Sequence, residues 1–223
     1  MAKDEIKDRI TRIFQNLFPA ASKAELDLFP RSLTDGKLYE AYIVGVVSEN
    51  LVNQENLELT LVNGNYLHLK SSPGPINRNY PHIDVSRAGS KVAEIWTDIE
   101  YMTLSFYRSG ATSPQKGYYH ELDIVVVEPN LTDRPLHRQI WLGVECKNLE
   151  YEKRLLREIL GVRRELSLLT QPKQTSFRNW PNRSVPADPP SCLLVYSSRP
   201  GISEYSEPGR EFGIEFIYKP LPG

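Results

Sequence analysis

The stretch His120–Asn148, HELDIVVVEPNLTDRPLHRQIWLGVECKN, decides how the rest of the chain is read. Its first part, Glu121 to Val127, is apolar and β-branched at Leu122, Ile124, Val125, Val126 and Val127, and it carries one acid, Asp123, inside it. That composition predicts a buried strand. A second strand is expected from Gln139 to Lys147, ending in Glu145-Cys146-Lys147, with the turn formers Pro129, Asn130, Asp133 and Pro135 in between. Side chains alternate across a strand, so Glu145 and Lys147 share a face, and a meander sets Asp123 beside Glu145.

Two carboxylates and an ammonium at the end of an otherwise apolar strand pair cost free energy unless something binds them. Carboxylate oxygens at this spacing suit a hard divalent cation such as Mg2+ (or Mn2+), which needs only one or two protein carboxylates. A lysine beside such an ion can position an attacking water or offset charge on a phosphate in the transition state. The plain alternative is a solvated Glu–Lys pair. Glu5-Ile6-Lys7 is such a chance triplet on a predicted helix, where positions two apart do not face each other. Glu145-Cys146-Lys147 differs by its setting, with a strand before it, an acid in the partner strand and a long helix after.

Asp123 followed by Glu145-x-Lys147 resembles the PD-(D/E)XK motif of the restriction-endonuclease-like nuclease superfamily. The order helix, three-stranded meander, helix, strand is similar to that family's core over roughly residues 33 to 218, although only about five positions match in sequence. Leu122 stands where the motif has proline. The resemblance implies that Asp123, Glu145 and the Cys146 backbone carbonyl hold the metal and that Lys147 activates or orients water. It also implies a glutamate from the first core helix, for which Glu40 is the candidate; a salt bridge from Glu40 to Lys37 or Arg31 is the alternative.

The chain has 223 residues, 40% hydrophobic and 25% charged, which suits one buried domain. No run of 18 apolar residues suggests a membrane span, and MAKDEIKDRI has no apolar core for a secretory signal. Two cysteines, Cys146 and Cys192, point to a reducing, cytoplasmic setting. The formal net charge of −1 argues against an avid, non-specific DNA coat.

Taken in order, Ile6, Ile10, Ile13, Phe14, Leu17 and Phe18 recur at helical spacing and predict an amphipathic helix over 3–18, part of a helical extension over residues 1–30. Ser22 to Glu25 forms a capping-box signal for a short helix ending near Pro30. Thr34 or Asp35 caps a helix over about 37–52, apolar nearly all round from Ala41 to Val47. Leu57 to Leu69 reads as a hairpin around Asn63-Gly64, and 71–90 as loop. Val92 to Leu104 opens the meander, with Glu94, Trp96, Asp98 and Glu100 expected on one face and Ile95, Thr97, Ile99 and Tyr101 on the other. Glu150 to Thr170 reads as a long helix with Leu155, Leu156, Ile159, Leu160, Leu166 and Leu169 inward and Lys153, Arg154, Arg157, Arg163 and Arg164 outward. Lys153, Arg157 and Arg164 line up with Gly161 as a basic stripe suited to a phosphate backbone. Residues 171–190, rich in proline, are expected as a long loop in which Arg178 and Trp180 grip or stack on nucleic acid.

The expected fold is α/β: a restriction-endonuclease-like core in which a mixed central sheet, an antiparallel meander plus later strands, is flanked by helices. The expected function is Mg2+-dependent endonuclease cleavage of nucleic acid, most readily DNA, in restriction, phage (antiviral) defence or repair. A homodimer follows from the need to cut two strands. A separate recognition or trigger protein is expected, since no helix-turn-helix or zinc finger is visible. The competing readings are a non-catalytic binding or assembly protein and a metal-dependent hydrolase of nucleotides or other small phosphates.

Overall fold

The computed structural model describes residues 3–19, 33–64, 68–70 and 72–222. Its centre is a seven-stranded mixed sheet, mostly antiparallel, flanked by helices. In chain order the strands are β1 (Glu58–Val62), β2 (His82–Arg87), β3 (Ser90–Met102), β4 (Tyr119–Val127), β5 (Ile140–Lys147), β6 (Leu168–Gln174), β7 (Ser184–Asp188), β8 (Cys192–Ser197) and β9 (Ile214–Tyr218). The sheet runs β1-β2-β3-β4-β5-β8-β9, and β6 and β7 form a separate two-stranded ribbon. Strands β1 to β5 pair antiparallel, whereas β8 joins β5, and β9 joins β8, in parallel. The helices are α1 (Lys3–Leu17), α2 (Asp35–Glu55), α3 (Leu104–Ser109), α4 (Lys153–Leu166) and α5 (Ser206–Glu211).

β4 lies in the middle because both of its faces are apolar: Ile124, Val125, Val126 and Val127 are all within 1% of fully buried. Ile124 and Val126 pack with α1 and α2 through Ile10, Phe14 and Val44. Val125 and Val127 pack on the other face with α4 through Leu155 and Ile159. Each large side chain so buried contributes roughly 1.5–3 kcal/mol. α2 is the most enclosed helix, as its apolar surround predicts; Thr34 caps it by accepting the N–H of Lys37 at 3.2 Å. α1 crosses it at Gly45, where a Cβ would come within 3.0 Å of Ile13 Cγ2. The amphipathic N-terminal helix thus packs on its own domain.

Several expectations give way. The partner of β1 among the described residues is β2, inside the stretch read as loop, while residues 65–67 of the expected hairpin over 57–69 lie outside the described residues. A tight turn at Ala88-Gly89, both at positive φ, joins β2 to β3. α4 ends at Leu166, not near Thr170, and the chain continues directly into β6, leaving Leu169 55% exposed. Residues 171–190 are no free loop: residues 171–174 and 184–188 belong to the β6–β7 ribbon, where Pro172 and Pro186 are tolerated because a two-stranded ribbon leaves outward N–H positions unused. Arg163, expected outward, is 4% exposed. The Ser22–Glu25 cap, the helix ending near Pro30 and Arg31 lie outside the described residues.

The faces of β3 also depart from strict alternation. Ile95 packs toward α2, whereas Ile99 and Tyr101 pack toward α4. The cause is Asp98, which sits at φ +54° and turns the pleat over. Aspartate visits this left-handed region more readily than most residues.

Candidate metal centre

The site lies where β4 and β5 stop pairing. Their ladder ends at Ile124 and Val144, so the next residue of each strand, Asp123 and Glu145, is not paired across β4 and β5, although Glu145 still pairs with Val195 on β8. Asp123 fills the gap with its side chain, Oδ2 accepting the N–H of Cys146 at 2.6 Å. N–H and C=O of one strand residue face the same edge, so the Cys146 carbonyl is directed to the same gap. The left-handed turn at Asp98 places a third acid opposite Asp123 on β3, and the first turns of α2 deliver Glu40. Carboxylate oxygens of Glu40, Asp98 and Asp123 all lie within 4.8 Å of one another. Glu145 stands beside this group, 5% exposed, and Lys147 Nζ donates to it at 2.9 Å. Lys147 also reaches Glu158 on α4 at 3.4 Å.

Lys37 is a second cation here. Its Nζ lies 2.6 Å from Glu40 and also bonds Asp98, whose second oxygen accepts the N–H of Lys70 at 2.9 Å. The salt bridge expected as the alternative for Glu40 is therefore present, and Glu40 borders Asp123 as well. Among the described residues, the side-chain ion pairs of this acid group run to Lys37 and Lys147. Lys70 adds its charge near Asp98 and Glu158 shares Lys147, so five carboxylates (Glu40, Asp98, Asp123, Glu145, Glu158), when ionised, face three ammonium groups (Lys37, Lys70, Lys147). The strain shows in the protonation equilibria. Burial, then the Asp123 charge, pushes Glu40 up to about 7. Burial, then Asp123, likewise raises Glu145. Burial raises Asp123 although the Cys146 N–H and Lys147 oppose it. Lys147 is held protonated: burial disfavours its charge, but Glu145 and Asp123 outweigh it. Burial keeps the Cys146 thiol protonated, so its sulfur is no thiolate ligand.

The donor set fits a hard divalent cation: it is all oxygen, it is buried, and its surplus charge matches the ion. A second group, His82, Asp84 and Glu94, is equally close-set but lacks that surplus. Arg78 and Lys91 both pair with Glu94, and Lys91 lies 2.7 Å from Asp84, so two cations meet two carboxylates. Burial would raise Glu94, but Arg78, Lys91, the Asn130 N–H and the Trp96 indole hold it down at about 2. His82 is stacked on Trp96 at 4.2 Å. This is an ion-paired network within the fold.

The expected nucleic-acid contacts divide. Lys153, Arg157 and Arg164 are exposed along α4 with Gly161 between them. Arg178 is exposed on the tip that follows β6, but Trp180 is half-buried against the α2 core. Glu55 at the end of α2 holds that tip, its carboxylate accepting the N–H groups of Arg178 (2.8 Å), Asn179 and Trp180 (2.9 Å). Of the acids on β3, Asp98 is the one that reaches the site. Its signal in the sequence is an acid on the strand beside β4, a signal shared by Glu94 and Glu100, which stand opposite Val127 and Glu121. Glu100 pairs with Arg134 at 2.6 Å, and Glu121 is an exposed strand end. Both cysteines are free. No described helix is long and apolar enough to cross a membrane. In comparisons with known proteins, no family model, no curated protein and no solved structure matches the chain.

Proposed function

We propose that the chain is a Mg2+- or Mn2+-dependent nuclease that hydrolyses phosphodiester bonds, with a PD-(D/E)XK-like centre at the β4–β5 break. The observation that carries this is the surplus of buried carboxylate charge around Asp123, with one lysine, Lys147, fixed beside it. Supporting it are the order α2, β3, β4, β5, α4, β8 and the exposed cations of α4, the helix whose Glu158 contacts Lys147.

Asp123, Glu145, the Cys146 carbonyl and Glu40 would hold the ion, with Asp98 adjoining; when bound, it supplies Lewis-acid stabilisation of charge on the phosphate. Lys147 orients the attacking water and offsets charge developing on the phosphate. Asp98 and Lys37 set the position of Glu40. Lys153, Arg157 and Arg164 meet the phosphate backbone, and Arg178 extends the contact. DNA is the substrate class, cleaved by a homodimer in the cytoplasm in a defence or repair role, with recognition or triggering supplied by a partner protein.

Incubation with supercoiled plasmid, linear duplex, single-stranded DNA, RNA and nucleotides in Mn2+ tests the reading. Nicking or linearisation of plasmid that is lost in Glu145→Gln supports it. Absence of cleavage of every polymer, or turnover of nucleotides alone, contradicts it.

A further inference from the structure

A cavity of about 460 Å³ lies between the last turn of α4, the β6–β7 ribbon and Phe212. Its walls are mainly apolar, formed by Leu160, Leu168, Leu169, Ala187 and Phe212, and its volume falls in the usual range for small-molecule sites. Two of its polar lining residues, Arg163 and Ser167, are almost wholly buried yet incompletely bonded. Arg163 Nη1 donates to the Ser191 carbonyl at 2.9 Å and lies 3.3 Å from Ser191 Oγ. Nη2 of Arg163 and Oγ of Ser167 have no partner among the described residues.

Several other enclosed cations meet acids: Lys37 meets Glu40 and Asp98, Lys147 meets Glu145, Arg87 meets Glu55. Arg163 has no such partner among the described residues, and burial lowers its pKa to about 10 with no carboxylate acting against the shift. A buried guanidinium without an anion is unfavourable unless something else supplies the charge. Arg164, exposed on the same wall, adds a second cation.

We propose that this cavity is a binding site for a small amphipathic anion, an apolar body carrying one carboxylate or phosphate head that pairs with Arg163. The apolar body lies against Leu160, Leu169 and Phe212. The head enters beside Ser167, and because Arg163 Nη2 and Ser167 Oγ are themselves buried, its engagement requires a side-chain shift of Arg163 or Ser167. A nucleic-acid backbone does not suit the cavity, whose walls are too apolar for a chain of repeated charges. The site is separate from the acid centre and does not depend on the nuclease reading.

The test is calorimetry and thermal unfolding of the full chain with decanoate and decyl phosphate below their micellar concentrations, against decan-1-ol and decylamine. Both anions, or one of them, are expected to bind and raise Tm, at least about tenfold more tightly than the alcohol or amine. Which anion binds better distinguishes the two head groups. Arg163→Met should remove that preference while leaving the unliganded Tm no lower, and Leu160→Trp, which enlarges a half-buried lining side chain, should weaken binding at least about tenfold. If Arg163→Met does not fold, Leu160→Trp decides. Failure of both anions to bind, equal binding of the alcohol or amine, or undiminished anion binding in either folded variant would overturn the proposal. So would self-association abolished by Leu169→Glu, which would mean that a second copy covers this face.

Discussion

Asp123 accepts the backbone N–H of Cys146 at 2.6 Å, at the point where β4 and β5 cease to pair. One carboxylate thus does what a β4 carbonyl would do further along the ladder, and it keeps one oxygen for the acid group formed with Glu40 and Asp98. The two roles separate by substitution. Asp123→Asn keeps an acceptor for Cys146, so Tm should change little while cation binding and cleavage are lost. Asp123→Ala leaves that N–H unsatisfied and should cost about 1–3 kcal/mol by denaturant unfolding. Equal stability of the two variants would contradict this division.

On the proposed nuclease reading, Glu145→Gln and Lys147→Ala each remove a group assigned to the reaction, and each should lower plasmid cleavage by about 10²–10³-fold with the fold retained by circular dichroism. A neutral Glu145 no longer repels Asp123, so metal-free Glu145→Gln should be at least as stable as the parent. Retained cleavage in either variant counts against the assignment.

Much of this centre was legible because the strands that build it are long and strongly patterned. The apolar run around Asp123, the alternation that pairs Glu145 with Lys147, and the apolar surround of α2 each leave one reasonable structure. Asp98 was not legible, since period-two alternation carries no information about a positive φ, and it is that turn which brings Asp98 to the site. β2 was hidden because its six residues lie between segments rich in proline, glycine and asparagine, and because Asn63-Gly64 offered a stronger turn signal than Ala88-Gly89. The end of α4 is ambiguous in the sequence because Leu166, Leu168 and Leu169 continue an apolar pattern compatible with either helix or strand. Ion pairs between distant segments, such as Lys37 with Asp98, follow from the fold and have no local signal.

Glu40 gives the metal-free protein a pH dependence of definite sign. Its carboxyl has an ordinary value of 4.5 and is pushed up to about 7, so the folded chain holds this proton more tightly than the unfolded chain. The contribution to stability is fully present below about pH 4.5, falls as pH rises through the window to about 7, and is flat above it. Glu40→Gln should flatten that part of the profile in urea titrations, and saturating Mg2+ should do the same in the parent. A profile that rises across this window in the parent and is unchanged in Glu40→Gln contradicts the placement of Glu40.

Glu55 ties the tip between β6 and β7 to the end of α2 through three successive backbone N–H groups and Arg87. Glu55→Ala should destabilise the chain by about 3–5 kcal/mol, as loss of one partner from a buried charged pair does. Limited proteolysis should then cut first near residues 175–183. Unchanged protease resistance would show that the tip is held by packing of Phe177 and Trp180 alone.

The most direct test of the central claim is a calorimetric titration of Mn2+ into the parent chain, Asp123→Asn and His82→Ala. The surplus charge around Asp123 predicts binding to the parent, weakened at least about tenfold in Asp123→Asn, as loss of a charged ligand implies, and unaltered in His82→Ala. Absence of binding to the parent, or binding that survives Asp123→Asn and disappears in His82→Ala, would contradict it.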